Sequence, residues 1–142
     1  MSVYFSCGDI VFSVDNEKTI KNWIAEVIKR HGKQLGRINY LFCSDKQVYE
    51  MNVRFLNHDT FTDIITFDYV QGNLISGDII ISVDRVGENA ELFATTFEHE
   101  LHRVIIHGVL HLLGFKDKTP HDASIMREKE NESLQILDSL MS

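Results

Sequence analysis

Two histidines, a glycine and an aspartate in the segment HGVLHLLGFKD have the types and the spacing of a metal site. His107 and His111 are four residues apart, so on a helix their imidazoles lie one turn apart on the same face and can converge on one ion. Gly114 stands where a helix can end in a left-handed residue, which would turn the chain back and bring Asp117 towards that ion. The spacing therefore predicts a metal centre with His107, His111 and Asp117 as ligands.

The order of histidine, histidine, glycine and a final ligand resembles the zinc site of the metzincins. Two neutral imidazoles and a carboxylate suit Zn²⁺ and leave a fourth position for water, so a bound ion could generate a nucleophile near neutral pH. Two features depart from the metzincin pattern: the final ligand is Asp117, and Gly108 stands where those proteases have their catalytic glutamate. We therefore expect one zinc ion per chain in a metzincin-like site, and the missing glutamate weakens the case for a protease.

Alternatives stay open around this segment. His121 also qualifies as third ligand, although its place in the first turn of a predicted helix favours a solvent-exposed side chain. Glu100 lies two helical turns before His107 and could act as a base, although a surface or supporting carboxylate is the more common role. His99 and His102 are predicted on the helix surface. The histidine pair itself could instead consist of two hydrogen-bonded core residues.

Composition limits the classes of protein that fit. A chain of 142 residues with 44% hydrophobic and 25% charged residues predicts one globular domain over residues 1–142. A net charge of −7 argues against general polyanion binding, so a nucleic-acid partner would need a local basic patch or the metal. No apolar run is long enough to span a bilayer, so we expect a cytoplasmic protein without membrane contact. Cys7 and Cys43 are predicted to be buried free thiols.

Hydrophobic periodicity predicts the elements that position these residues. Helices are expected after a cap at Asp15 or Asn16, over 45–56 behind Ser44, over 84–90, over 93–113, and from Thr119 to the end of the chain. A strand or a short hairpin is expected over 3–14, and strands are expected over 37–43, 63–70 and 78–83. The short connection between the last two strands predicts an antiparallel pair, and the pattern as a whole predicts a mixed α+β fold.

The segment HGVLHLLGFKD resembles the HGxLHLxGYDH signature of the YbeY family, bacterial metal-dependent endoribonucleases that mature ribosomal RNA. The resemblance extends upstream: TFTDIITFD at 60–68 is similar to the family's PTDVLSF segment, SGDIIIS at 76–82 to its GDIxIS strand, and Met51-Asn52 to the start of its central block. It implies a small mixed sheet of about four strands flanked by helices, with the metal on a central helix. It also implies hydrolysis of single-stranded RNA in small-subunit ribosomal RNA maturation and ribosome quality control.

Carried over residue by residue, the resemblance makes His107 and His111 ligands and aligns the family's third histidine with Asp117. The family's catalytic arginine aligns with Leu56, so the cation that faces the scissile phosphate must come from elsewhere. Arg54 lies two positions away and is the candidate that we assign to catalysis together with the two histidines. The candidates considered for this cation are Arg54, Arg103 and Lys116.

The resulting hypothesis is a zinc-dependent endoribonuclease whose partners are single-stranded RNA and the small ribosomal subunit, with ribosomal proteins or a GTPase as further candidates. Two alternatives remain: a metallohydrolase that acts on a peptide, and a ribosome-associated binding module with a structural metal held by four protein ligands. Thr62 and Asp63 could orient the site or cap a strand. His58 and Asp59, in the polar loop before them, could reach substrate or be ordinary exposed loop residues.

Overall fold

The computed structural model describes residues 1–58 and 60–142, and in these ranges it contains four strands and five helices. In chain order they are β1 (Ser2–Cys7), α1 (Glu17–Arg30), β2 (Gln34–Cys43), α2 (Asp45–Leu56), β3 (Ile64–Asp68), β4 (Leu74–Ser82), α3 (Val83–Leu92), α4 (Phe97–Leu112) and α5 (Pro120–Met141). The predicted α+β fold with a sheet of four strands is confirmed. No helix in the described ranges combines the length and the apolarity needed to cross a bilayer.

The strands form one mixed sheet in the order β1-β2-β4-β3. β1 runs parallel to β2, and β2 runs parallel to β4. β3 is antiparallel to β4, with Thr66 opposite Ile79, as the short connection between these strands predicted. β3 is therefore an edge strand, and its outer side is not covered by a further strand of the described chain.

Helix α4 packs on β3 and β4 and contacts α1, α3 and α5, while α1 packs on β1 and β2. Two side-chain hydrogen bonds fix this layer: Tyr40 Oη donates to Ile105 O at 2.8 Å, and Trp23 Nε1 donates to Ser133 O at 2.7 Å. Burial of each large apolar side chain in this core contributes about 1.5–3 kcal/mol. The buried apolar residues of α4 are Leu101, Val104, Ile105, Ile106, Val109, Leu110 and Leu112. A smaller cluster under α2 covers part of the opposite face of the sheet.

Gly108 allows α4 to lie directly against the sheet. A Cβ atom at this position would lie 2.9 Å from Ile79 Cδ1 and 3.2 Å from Ile64 Cδ1, and Ile79 is completely buried. Both distances are shorter than ordinary carbon–carbon contacts, which are about 3.5–4.0 Å. The position at which metzincins have their glutamate is therefore closed to any side chain unless the core moves.

We expect Gly108→Ala to lower the free energy of unfolding by about 1 kcal/mol, because overpacking costs about 1–3 kcal/mol and the gain in helix propensity returns at most about 1 kcal/mol. Gly87→Ala in α3 is the matched control. The nearest atom to a Cβ there is Phe97 Cδ1 at 3.9 Å, so we expect a stabilisation of up to about 1 kcal/mol. Urea denaturation of both variants measures the difference. Equal stabilisation by the two substitutions would show that the contact at Gly108 is not tight.

Several local predictions are confirmed and others are wrong. Ser44 and Thr119 cap α2 and α5, since their side chains accept from Gln47 N and Asp122 N. The predicted strand or hairpin over 3–14 forms only as β1, which ends at Cys7. Helix α4 begins at residue 97 instead of 93, because Thr96 is its cap.

Two predictions about burial are also wrong. His102 is only 7% exposed instead of lying on the helix surface, and its ring packs edge-on against Trp23 with 6.1 Å between ring centroids. Burial lowers the pKa of His102, so the neutral ring is favoured. Cys7 is exposed and its thiol donates to Phe12 O at 2.8 Å, whereas Cys43 is buried as predicted.

Candidate metal centre and cleft

The end of α4 brings the two predicted histidine ligands together. Their ring centroids are 4.5 Å apart, and His107 Nε2 lies 3.0 Å from His111 Nε2. Gly114, with a φ of 105°, then reverses the chain, which a residue with a Cβ atom rarely does. The reversal places Asp117 Oδ2 3.2 Å from His107 Nε2 and 3.3 Å from His111 Nε2. One helix end and one turn thus position all three side chains.

The spacing of these three donor atoms fits a tetrahedral metal ion. Atoms bound to zinc at about 2.0–2.1 Å in tetrahedral geometry lie about 3.3–3.4 Å from one another. The three donors are 3.0, 3.2 and 3.3 Å apart, so little movement would be needed to bind an ion. His107, His111 and Asp117 form the one group of three or more potential ligands in residues 1–58 and 60–142.

The hydrogen bonds of the two rings select the tautomer that binds a metal. His107 Nδ1 lies 2.7 Å from Glu130 Oε2, and His111 Nδ1 lies 3.0 Å from Phe115 O. Both partners accept, so each Nδ1–H donates and each neutral ring directs its Nε2 lone pair at the other ring and at Asp117. Two lone pairs and a carboxylate oxygen at this spacing repel one another unless a proton or a metal cation lies between them. The chemistry of the donor set therefore fits a divalent metal better than a pair of hydrogen-bonded core histidines.

Glu130 is the supporting residue that the sequence analysis missed. It is 4% exposed, and it accepts a 2.8 Å hydrogen bond from Arg103 Nη1, whose other nitrogen donates to Asn131 Oδ1 at 3.1 Å. Burial alone would raise the pKa of Glu130, but the hydrogen bonds from His107 and Arg103 lower it, so the carboxylate stays ionised. The sequence contained one signal: Glu130 lies four residues from both Met126 and Leu134, on the apolar face of α5.

A cleft of about 520 Å³ opens beside the ligands, between α4, β3 and the loop after α2. Thr62, Asp63 and His58 all face it, and Thr62 Oγ1 donates to Ile64 O at 3.2 Å. Asp59 lies outside the described residues. The described lining contains no lysine or arginine; it consists of Asn52, Leu56, His58, Thr60, Thr62, Asp63, Ile64, Ile65, Thr66, Asp68, His107, His111, Leu112 and Asp117.

The three basic residues considered from the sequence lie outside this cleft. Arg54 is exposed, with its guanidinium carbon 5.9 Å from the ring of Phe55, and it is not among the described residues that line the cleft. Lys116 is exposed on the turn after α4. Arg103 is bound to Glu130. The catalytic role assigned to Arg54 stays a prediction, and the structure gives it no contact with the metal centre.

A second cavity of about 290 Å³ lies on the α5 side of the same ligands, and we call it the α5-side cavity. Burial raises the pKa of Asp63, which lines both the cleft and this cavity. Burial likewise raises the pKa of Glu100, which is 5% exposed. The lining residues of the α5-side cavity are Asp63, Asn89, Phe93, Glu100, Arg103, Val104, His107, Asp117, Arg127 and Glu130. Glu100 is thus a buried carboxyl beside the centre and not a surface group.

His121, the other candidate for third ligand, is exposed at the start of α5 and lies outside the cluster of donor atoms. Asp117 occupies the position that the spacing predicted. The fold and the site together define a small α+β protein whose central helix presents a His-His-Asp centre to an open cleft.

A sequence profile described as Endoribonuclease YbeY matches residues 6–138. The chain therefore belongs to the YbeY endoribonuclease family, and the family and enzyme class predicted from the motifs are confirmed. The protein named Endoribonuclease YbeY from Parabacteroides distasonis is 49% identical over 96% of this chain and 96% of its own length. The protein of the same name from Flavobacterium johnsoniae is 53% identical, over 88% of this chain and 90% of its own.

A solution structure of a protein from Thermotoga maritima shares this fold. The two chains are 29% identical and superpose with a TM-score of 0.64, over 94% of this chain and 88% of the other. The mixed sheet with its flanking helices is therefore an arrangement that a distant sequence also adopts.

Proposed function

We propose that the protein is a zinc-dependent endoribonuclease, specific for single-stranded RNA, that acts in small-subunit ribosomal RNA maturation and ribosome quality control. The observation that carries the proposal is the triangle of His107, His111 and Asp117 donor atoms, 3.0–3.3 Å apart, at the wall of an open cleft. We propose a single domain that works in the cytoplasm on the small ribosomal subunit, with ribosomal proteins or a GTPase as candidate partners.

The chemistry follows from how the chain holds these side chains. A bound zinc ion would polarise a phosphodiester oxygen and generate a nucleophile from water near neutral pH. Glu130 and the carbonyl of Phe115 hold both imidazoles in the metal-binding tautomer, which avoids a rearrangement during the reaction. Asp117 adds a negative charge where the family signature has a neutral histidine. The centre is thereby less positive, so a further cation near the phosphate becomes more important.

The partial burial of the two histidines inside the cleft supports a preference for unpaired RNA. The side chains of His107 and His111 are 19% and 28% exposed, so a phosphodiester must enter the cleft to approach them. A single strand can splay its bases and bend its backbone into such a cleft, whereas an A-form helix presents a continuous rigid surface.

The test compares a fluorescently labelled single-stranded RNA with the same RNA annealed to its complement. Metal-loaded protein is expected to cleave the single strand much faster than the duplex. A chelator should stop the reaction and added zinc should restore it. If the protein leaves the single strand intact after chelation and the return of zinc, the proposal is contradicted. Unchanged cleavage in excess chelator would contradict the dependence on metal.

One observation favours a peptide as a second candidate substrate. Ser82 N donates to Asp63 O, and Tyr69 N donates to Ser76 O, so residues 63 and 69 of the β3 region pair with β4. By alternation, the backbone groups of Ile64, Thr66 and Asp68 point away from β4, and these residues line the cleft. An extended peptide could bind there as an added strand.

The same preparations distinguish the two substrates. Gly108, in place of a catalytic glutamate, argues against peptide hydrolysis, so we expect casein and short peptides to remain intact under conditions in which RNA is cleaved. Chelator-sensitive cleavage of peptide without cleavage of RNA would favour the peptidase. The third alternative, a structural metal, requires a fourth protein ligand, and residues 1–58 and 60–142 bring three donors together.

A further inference from the structure

We propose that Arg127, which lies on α5, supplies the cation that faces the scissile phosphate. The inference rests on the proposed function, since it names a further catalytic residue for RNA cleavage. The cavity that Arg127 lines also contains the ligands His107 and Asp117, and it therefore meets the cleft at the metal centre.

The cleft itself does not provide such a cation. The transition state of phosphodiester cleavage gains negative charge, and a guanidinium or a further cation stabilises it. The cleft is lined by the carboxylates Asp63, Asp68 and Asp117, and its described lining includes no lysine or arginine. On the β3 side of the metal, a polyanionic substrate would thus meet Asp63 and Asp68 with no lysine or arginine among the described lining residues.

On the other side of the metal, two arginines line the α5-side cavity, and they differ in how firmly they are held. Arg103 is 16% exposed, and its nitrogens are bound to Glu130 at 2.8 Å and to Asn131 at 3.1 Å. Its guanidinium neutralises Glu130 and cannot leave without exposing a buried charge. Arg103 is therefore a positioning residue for the metal centre, and it is not available to a substrate.

Arg127 has the freedom that Arg103 lacks. Its side chain is 57% exposed, and within the described chain its ion pair is a 3.7 Å contact to Glu130 Oε1, the oxygen already bonded to Arg103. The cost of exchanging this loose contact for a phosphate is small. A guanidinium also suits the substrate, because its planar fork can bind two phosphate oxygens at once.

Lys129 provides a matched control on the same helix. Its ammonium pairs with Glu132 at 3.4 Å and lies 5.9 Å from the ring of Phe115, and it lines neither the cleft nor the α5-side cavity. Lys129→Ala removes the same charge as Arg127→Ala from the same helix, two residues away. Effects of net charge and of helix stability are therefore matched between the two variants.

The first measurement is cleavage of single-stranded RNA under single-turnover conditions. We expect Arg127→Ala to lower the single-turnover rate constant about 10- to 100-fold, less than the loss of a fully buried oxyanion donor, and Lys129→Ala to stay near wild type. Bound zinc and Tm should match wild type in both. Because Leu56 lines the cleft, Leu56→Arg should restore part of the cleavage rate of the Arg127→Ala protein. The factor by which Leu56→Arg raises the rate should be larger in the Arg127→Ala protein than in the wild-type protein.

The second measurement does not depend on cleavage. The affinity of the zinc-loaded protein for a single-stranded DNA oligonucleotide is measured at several salt concentrations, and Arg127→Ala should reduce the salt slope by about 1, as expected for one lost phosphate contact. Wild-type protein that cleaves no RNA would contradict the proposed function, while this measurement would still test Arg127. Equal rates and equal salt slopes for Arg127→Ala and Lys129→Ala would overturn the inference.

Discussion

The His111→Ala variant is expected to lose both bound metal and RNA cleavage, with kcat/KM at least about a thousandfold below wild type, because a metal ion contributes several kcal/mol of transition-state stabilisation. His111 Nε2 lies 3.0 Å from His107 Nε2 and 3.3 Å from Asp117 Oδ2, so its removal leaves two donors that cannot hold the ion alone. Metal content by elemental analysis and the initial rate on single-stranded RNA measure the two losses. The fold should persist, since the ring is partly exposed.

Two further variants separate the candidates for third ligand. Asp117→Ala should also lose zinc, whereas His121→Ala should retain zinc and activity, because His121 is exposed and lies outside the donor cluster. His121→Ala is also a control for the removal of a histidine from this region. Loss of zinc in His121→Ala, with Asp117→Ala unchanged, would transfer the ligand role to His121 and show that the turn at Gly114 rearranges on binding.

Glu130→Gln is expected to weaken zinc binding about 10- to 100-fold, the range found for residues that orient a metal-bound histidine. The amide keeps the size of the side chain but removes the charge that both Arg103 and His107 contact at 2.7–2.8 Å. Arg103 would then be a partly buried guanidinium without a counterion, so Tm should also fall. A competition titration against a zinc-binding dye and thermal unfolding measure these two effects.

Glu132→Gln is the control for that experiment. Glu132 is two residues away on α5, and its carboxylate is 52% exposed beside Lys129, so its charge should contribute little to stability. Equal zinc affinity in Glu130→Gln and Glu132→Gln would show that the hydrogen bond to His107 does not support the metal centre.

The grouping of the three candidate metal ligands could be predicted from the sequence because their geometry is local. His107 and His111 lie one turn apart on a single helix, and Gly114 determines where Asp117 returns. Every relation in this group spans ten residues or fewer, so helix periodicity and one left-handed residue are sufficient. The caps at Ser44 and Thr119 are equally local, and the antiparallel pairing of β3 with β4 follows from the short connection between these strands.

The residues that support and extend the centre could not be predicted in this way. Glu130 and Arg127 lie on α5, and only the packing of α5 against α4 brings Glu130 to His107 and Arg127 to the cavity beside it. Their contacts depend on how two helices cross, which periodicity does not specify. The prediction that His102 lies on the helix surface is wrong for a related reason: the ring packs against Trp23 on α1, a neighbour that is remote in the sequence.

The close approach of α4 to the sheet at Gly108 also limits how this enzyme can evolve. A metal centre of this geometry could in principle change its reaction by acquiring a carboxylate beside the first histidine. Here such a mutation would drive a charged side chain into Ile79 and Ile64, so it would be purged as a folding defect before any new activity could be selected. Smaller residues on the two strands would have to arise first. A carboxylate at position 108 is therefore tolerated only after changes in the sheet, which is epistasis between α4 and the strands β3 and β4.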